Sequence, residues 1–166
     1  VTEEHYQLLN WLIEKGATQM KLRYNTNFSV LAFKGQNVLD LWKHFREVEI
    51  MASIDAVESL GEYIRSGTIW DRIISNYAKI HKLPHISFKI SPTISLFNVA
   101  QLPELVQYFV DRNMVSCDDF YINILERPYH YNIQTFPEKQ KTKVTQVLQD
   151  FKLKINTKDV KMAKQI

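Results

Sequence analysis

The chain has one cysteine and four glycines in 166 residues. A lone thiol, Cys117, can neither close a disulfide framework nor supply the ligands of a cysteine-bound metal cluster. Its position predicts a buried thiol at a helix-to-strand junction. No Gly-x-Gly-x-x-Gly or P-loop stands at any strand end, which argues against a nucleotide-binding doubly wound sheet. No apolar run approaches membrane-spanning length, and no charged-then-apolar segment opens the chain. The expectation is a cytoplasmic protein without a membrane partner. The five histidines, His5, His44, His81, His85 and His130, show neither the i, i+4 spacing nor the finger spacing of a metal site.

What is present is a well-proportioned globular composition, 45% hydrophobic and 23% charged, in a length that suits one domain. The net charge of +3 is concentrated late, at Lys139, Lys141, Lys143, Lys152, Lys154, Lys158, Lys161 and Lys164. A solvated helix face accounts for that spacing, and no RNA-binding signature accompanies it, so nucleic acid is not an expected partner. Val1 followed at once by a helix-starting Thr2-Glu-Glu-His5 reads as a piece of a longer chain.

Four segments read as strands: Gln19 to Asn27, Val48 to Asp55, His85 to Ser91 and Phe120 to Leu125. Alternation puts Ile50, Ala52 and Ile54 on one face and Met51, Ser53 and Asp55 on the other. Met20, Leu22 and Tyr24 likewise oppose Arg23, Asn25 and Asn27. A parallel sheet covered on both faces reads as nearly continuous apolar runs, so a repeated polar face points to a lumen or crevice. Helical spacing recurs from Thr2 to Gly16, Asn37 to Phe45, Trp70 to Ile80, Leu102 to Val110 and Pro137 to Phe151. Pro137 suits a first helical position. Tyr6, Trp11, Trp42, Trp70, Phe109 and Phe151 fall on the apolar helix faces and are expected in the core. Strict alternation of helix and strand predicts βαβ units and a curved, all-parallel four-stranded sheet with helices on its outer face.

Tyr24-Asn-Thr-Asn27, then Ser53-Ile-Asp55, then Gly61-Glu-Tyr-Ile-Arg-Ser-Gly67 with Trp70-Asp71, resemble the radical S-adenosylmethionine enzymes. The branch is the one that often carries SPASM or twitch extensions. Asn98-Val99 before Leu102-Pro-Glu-Leu105, Asn123-Ile-Leu125, Pro128-Tyr129 and Phe136-Pro137 extend the likeness over most of Tyr6 to Pro137. The resemblance implies a partial TIM-type (β/α)6 barrel, with residues 1–136 its C-terminal part and 137–166 a terminal helix and basic tail. It also implies a 4Fe–4S cluster held by a Cys-x3-Cys-x2-Cys loop in a preceding barrel segment. The intact parent would cleave S-adenosylmethionine to a 5′-deoxyadenosyl radical that abstracts a substrate hydrogen. Relatives with these motifs often modify peptides. Without the cluster cysteines, this piece alone is expected to be inactive.

The resemblance assigns Ser53 and Asp55 to the ribose hydroxyls, against the plainer reading that both cap a turn. Asn25 and Asn27 would reach the methionine part of the cofactor or a substrate, unless they too are turn residues. Arg65, in a loop opened by Gly61 and closed by Gly67, would hold the cofactor carboxylate, or else pair with Glu62 or Asp71. Ser91, Thr93, Asn123 and the backbone near Leu125 would line the adenine or substrate side, against the plainer account of each side chain taken singly, ordinary strand-end capping. Lys89 on the polar face requires a partner, and Glu49 or Asp55 can serve. The alternative to the enzyme reading is a non-catalytic partial barrel that binds a ligand or a partner.

Overall fold

The computed structural model describes residues 2–155; the lysines at 158, 161 and 164 lie outside them. The elements are α1 (Glu3–Glu14), β1 (Lys21–Thr26), β2 (Ala32–Phe33), β3 (Gln36–Asn37), α2 (Val38–Trp42), β4 (Glu47–Ala52), α3 (Glu58–Ile64), α4 (Trp70–Ile80), β5 (Ile86–Ile90), β6 (Thr93–Ile94), α5 (Leu102–Asp111), β7 (Asn123–Ile124) and α6 (Glu138–Lys154). The chain is mixed α/β and divides into two compact units, Val1–Ala52 with Ile69–Lys89, and Ser53–Thr68 with Ile90–Ile166.

In the first unit a parallel sheet runs in the order β1-β4-β5. Tyr24 pairs with Ile50 and Arg23 with Glu49, so the two faces keep distinct chemistry across the strands. On the apolar face Tyr24 meets Trp42 of α2 (ring centroids 5.0 Å apart) and His5 of α1 (5.4 Å). Phe88 meets Tyr77 of α4 at 5.2 Å on the same face. Val48, Ile50 and Ala52 are fully buried, which makes β4 the spine of this core. α1 ends at Gly16, whose φ of +69° suits a residue without a Cβ. Its Trp11 is 53% exposed, so that aromatic is not in the core as its spacing suggested. The other five are buried.

Between β1 and α2 lies a hairpin absent from the sequence reading. Ala32 pairs with Asn37 and Phe33 with Gln36, joined by Lys34 and Gly35 at φ +47° and +82°. Positive φ at both central positions is the type I′ geometry that matches the twist of the flanking strands.

The second unit contains the fourth expected strand in reduced form. Tyr121, Asn123 and Leu125 donate their N–H groups to the carbonyls of Ile90, Pro92 and Ile94 at 2.8, 3.0 and 2.8 Å. Pro92 has no N–H to return, so the ladder is broken there into a single parallel bridge, Ile90 with Phe120, and the short parallel pair β6 with β7. The strand expected over Phe120 to Leu125 thus shrinks to Asn123–Ile124, and among the described residues the contiguous parallel sheet has three strands and does not close into a barrel.

The expected loop around Arg65 is also corrected. Glu58–Ile64 is a helix, with Gly61 in its interior and Arg65 as its C-cap. A Cβ at Gly61 would be driven into the Ala56 carbonyl, so this glycine serves close approach and does not break the helix. Pro137 caps α6 in place of occupying its first turn. α6 buries Phe151, which shares a pocket wall with Val106, Val110 and the buried Cys117.

Candidate functional site

The second unit holds a cleft of about 540 Å³. Asp55 and Arg65 line it, as do Thr93 and Leu125. β4 ends at Ala52, and the chain then runs through Ser53 and Ile54 to place the Asp55 carboxylate with only 5% of its side chain exposed. A buried carboxylate must find donors, and three converge here. Arg65 Nε donates to Oδ2 at 2.7 Å, Arg65 Nη2 to Oδ1 at 3.3 Å, and the Thr93 N–H to Oδ1 at 2.8 Å. The two residues to which the resemblance gives separate ligand contacts are therefore bonded to each other. Arg65 keeps its remaining N–H donors open, its side chain being 34% exposed on the cleft wall.

Asn98 locks this arrangement from behind. It is 1% exposed, and its Nδ2 donates to the backbone carbonyls of Asp55 (2.8 Å) and Thr93 (3.0 Å). Its Oδ1 accepts from the Ser95 N–H at 2.7 Å. One carboxamide thus ties the Asp55 turn to the start of β6. The sequence carried a signal for it, an asparagine inside the otherwise apolar Leu96-Phe-Asn-Val-Ala100.

Leu125 reaches the cleft with both backbone groups engaged, its N–H with Ile94 (2.8 Å) and its carbonyl with Asn132 Nδ2 (2.7 Å). The rim carries three exposed aromatics that sequence reasoning did not select: Tyr63, Phe97 and Tyr131. Phe97 and Tyr131 lie with centroids 5.0 Å apart, a separation at which aromatic pairs attract. Ser91 accepts from Asn123 Nδ2 at 2.9 Å. Neither of these, nor Ser53, is among the cleft-lining residues.

Asn25 and Asn27 belong to the first unit. Asn27 Oδ1 accepts from Ser29 N–H (3.3 Å) and Oγ (2.9 Å), the local turn that the plainer reading anticipates. Asn25 lines a separate pocket beside Tyr24 and Trp42.

The polar face of the first unit's sheet carries an ion cluster. Glu49, 4% exposed at its side chain, accepts from Arg23 at 2.6 Å, Lys89 at 2.8 Å and Lys21 at 3.1 Å. Lys21 also meets Glu47 at 2.7 Å. Lys89 foremost, with Lys21, holds the Glu49 carboxyl down at about 2 against the opposing effect of burial. The pairing anticipated for Lys89 is present with Glu49.

No protein-family model matches this chain, no curated protein matches it, and no solved structure matches it. Among the described residues, no helix is long and apolar enough to cross a membrane. None of their His, Cys, Asp and Glu side chains gather into a group suited to a metal ion.

Proposed function

We propose that the chain is part of a radical S-adenosylmethionine enzyme, and that the second unit's cleft contacts the cofactor. The observation that carries the reading is the Asp55–Arg65 pair, buried at one end and open to a cleft of about 540 Å³ at the other. A carboxylate has about four acceptor sites, and the three donors on Asp55 leave room for a ribose hydroxyl. The outer N–H groups of Arg65 suit the cofactor's carboxylate. Asp55 in turn aligns the guanidinium, so the two contacts are coupled. A parallel sheet with helices against its apolar face, as in β1-β4-β5, is also the layering of a partial barrel, whose helices form an outer ring.

The radical chemistry would come from the bound cofactor and cluster, while the protein orients and shields. The cluster does not fit this chain, whose one cysteine, Cys117, is buried. The proposal therefore places the three cluster thiolates on a preceding segment. The substrate class proposed is a peptide.

Calorimetric titration with S-adenosylmethionine tests the reading. Saturable binding is expected, weakened by roughly 1–3 kcal/mol in Asp55→Ala and in the same direction in Arg65→Ala. Unchanged affinity in both folded variants would remove the cofactor from this cleft. Binding without any upstream Cys-x3-Cys-x2-Cys run would favour the second reading, a non-catalytic ligand-binding module, to which the single cysteine is suited.

A further inference from the structure

β1 is an outer strand of the β1-β4-β5 sheet, and the register with β4 settles which of its backbone groups point outward. Val48 donates its N–H to the His85 carbonyl at 2.8 Å, hence toward β5, and successive residues of a strand alternate sides. Glu49, the register partner of Arg23, therefore faces β1. In a parallel ladder such a residue bonds to the two neighbours of its partner, here Leu22 and Tyr24. That directs the N–H and C=O of Lys21, Arg23 and Asn25 away from the sheet, and among the described residues no backbone group bonds to them.

Edge strands are ordinarily kept from further pairing by a proline, a bulge or a charge standing over the edge. β1 has no proline and no glycine, and its register runs unbroken from Lys21 with Glu47 to Thr26 with Ala52. Its two charges are drawn back over the sheet, Lys21 to Glu47 at 2.7 Å and to Glu49 at 3.1 Å, and Arg23 Nε to Glu49 at 2.6 Å. With Lys89 also on Glu49, this face sets three cations against two carboxylates. The surplus charge stands at the edge in Arg23, whose side chain is 64% exposed and whose Nη groups lie outside the Glu49 contact. On the other face Leu22 is partly exposed. α1, which meets Tyr24 there through His5, leaves Leu8 and Trp11 exposed.

We propose that the free edge of β1 accepts an extended strand from another protein, parallel to β1, with a carboxylate opposite Arg23 and an apolar residue on either side of it in sequence. The outward N–H and C=O groups supply the backbone bonds, and alternate side chains supply the specificity. The carboxylate offsets the surplus charge and meets the outer N–H groups of the guanidinium. Its two neighbours point to the opposite face, where Leu22 and Tyr24 lie. A second copy of this chain would bring its own Lys21 and Arg23 to the same edge, cation against cation, so the partner is a different polypeptide. The inference rests on the first unit alone and is independent of the cofactor cleft.

The probe is the acetylated, amidated peptide Thr-Val-Glu-Val-Thr-Val. In ¹H–¹⁵N spectra of the whole chain, millimolar peptide should shift the Lys21, Arg23 and Asn25 amides saturably, and more than those of Leu22 and Tyr24. Lysine in place of the peptide's glutamate should weaken binding about tenfold, and Arg23→Gln should erase that difference. Asn25→Pro removes one outward N–H, a change that an edge strand tolerates, and should abolish binding while the spectrum stays folded. N-methylation of the valine that follows the glutamate, whose N–H would meet the Arg23 carbonyl, should abolish binding with the protein unaltered. No saturable shift, equal binding of the lysine peptide, or binding that survives the N-methyl valine would overturn the proposal. So would sedimentation showing that the chain pairs with itself through this edge, with Asn25→Pro alone remaining monomeric.

Discussion

Asn98 Nδ2 donates to the backbone carbonyl of Asp55 at 2.8 Å across 43 residues of sequence. The bond fixes the backbone of the residue whose side chain organises the cleft, so fold and site share one buried carboxamide. Asn98→Ala would leave the carbonyls of Asp55 and Thr93 and the N–H of Ser95 short of a partner. Each such loss costs about 1–3 kcal/mol and the losses are not additive. A net destabilisation of roughly 2–4 kcal/mol is expected in urea denaturation. A value under about 0.5 kcal/mol, the range of ordinary surface changes, would refute the role.

Glu49 should make stability depend on acid. Its carboxyl titrates at about 2 in the folded chain and near 4.5 as a free side chain. The unfolded chain therefore binds the proton first as pH falls. The ion cluster's contribution is complete above about 4.5, declines below it and is gone below about 2. Its size is on the order of 2–3 kcal/mol. Urea midpoints measured from pH 6 to pH 2 should fall over that window, and Glu49→Gln should flatten this component. An unchanged slope in Glu49→Gln would assign the acid sensitivity to other carboxyls.

Gly61→Ala reverses a usual sign. In an exposed helix interior this exchange stabilises by about 1 kcal/mol. Here the new methyl meets the Ala56 carbonyl, and a backbone atom cannot swing aside. A loss of about 1–3 kcal/mol is expected on thermal unfolding. A gain would mean that the turn into α3 yields easily.

Asn76 of α4 is a buried polar residue whose Nδ2 donates to the Phe28 carbonyl at 3.0 Å. Phe28 itself is 1% exposed and sits at φ +57°, an unusual conformation for a bulky residue. Asn76→Ala should cost about 1–3 kcal/mol in chemical denaturation. Asn76→Asp should cost at least as much, because it places a charge where a donor is needed. Wild-type stability in Asn76→Asp would show that Phe28 does not rely on this bond.

Local pattern made part of this legible. Trp70 to Ile80 is a helix with the bounds its periodicity gave, because Ile73, Asn76 and Ile80 fall on one buried stripe. The two faces of β1 and β4 were also readable, since alternation alone separates Tyr24 and Ile50 from Arg23 and Glu49. Gly61 misled because a glycine reads as a helix breaker until its neighbour in space is known. Lys34-Gly35 was passed over because each flanking strand is only two residues long, too short for alternation to show. At the site, the polar end of a strand suggested Asp55, and the family resemblance pointed to Arg65 in what read as a loop. Their mutual bond, and the hold of Asn98 on both Asp55 and Thr93, depend on chain geometry that spacing does not encode.

Among the described residues β1 pairs with β4 on one side only and forms an edge of its sheet. In such a strand, successive amides point alternately toward the neighbour and away from it. Half of the backbone protons between Lys21 and Thr26 should therefore exchange with solvent deuterium far faster than those between them. The exchange trace along this one strand would read as a comb. A parallel guest strand that docked there would silence the fast teeth and leave the slow ones as they were.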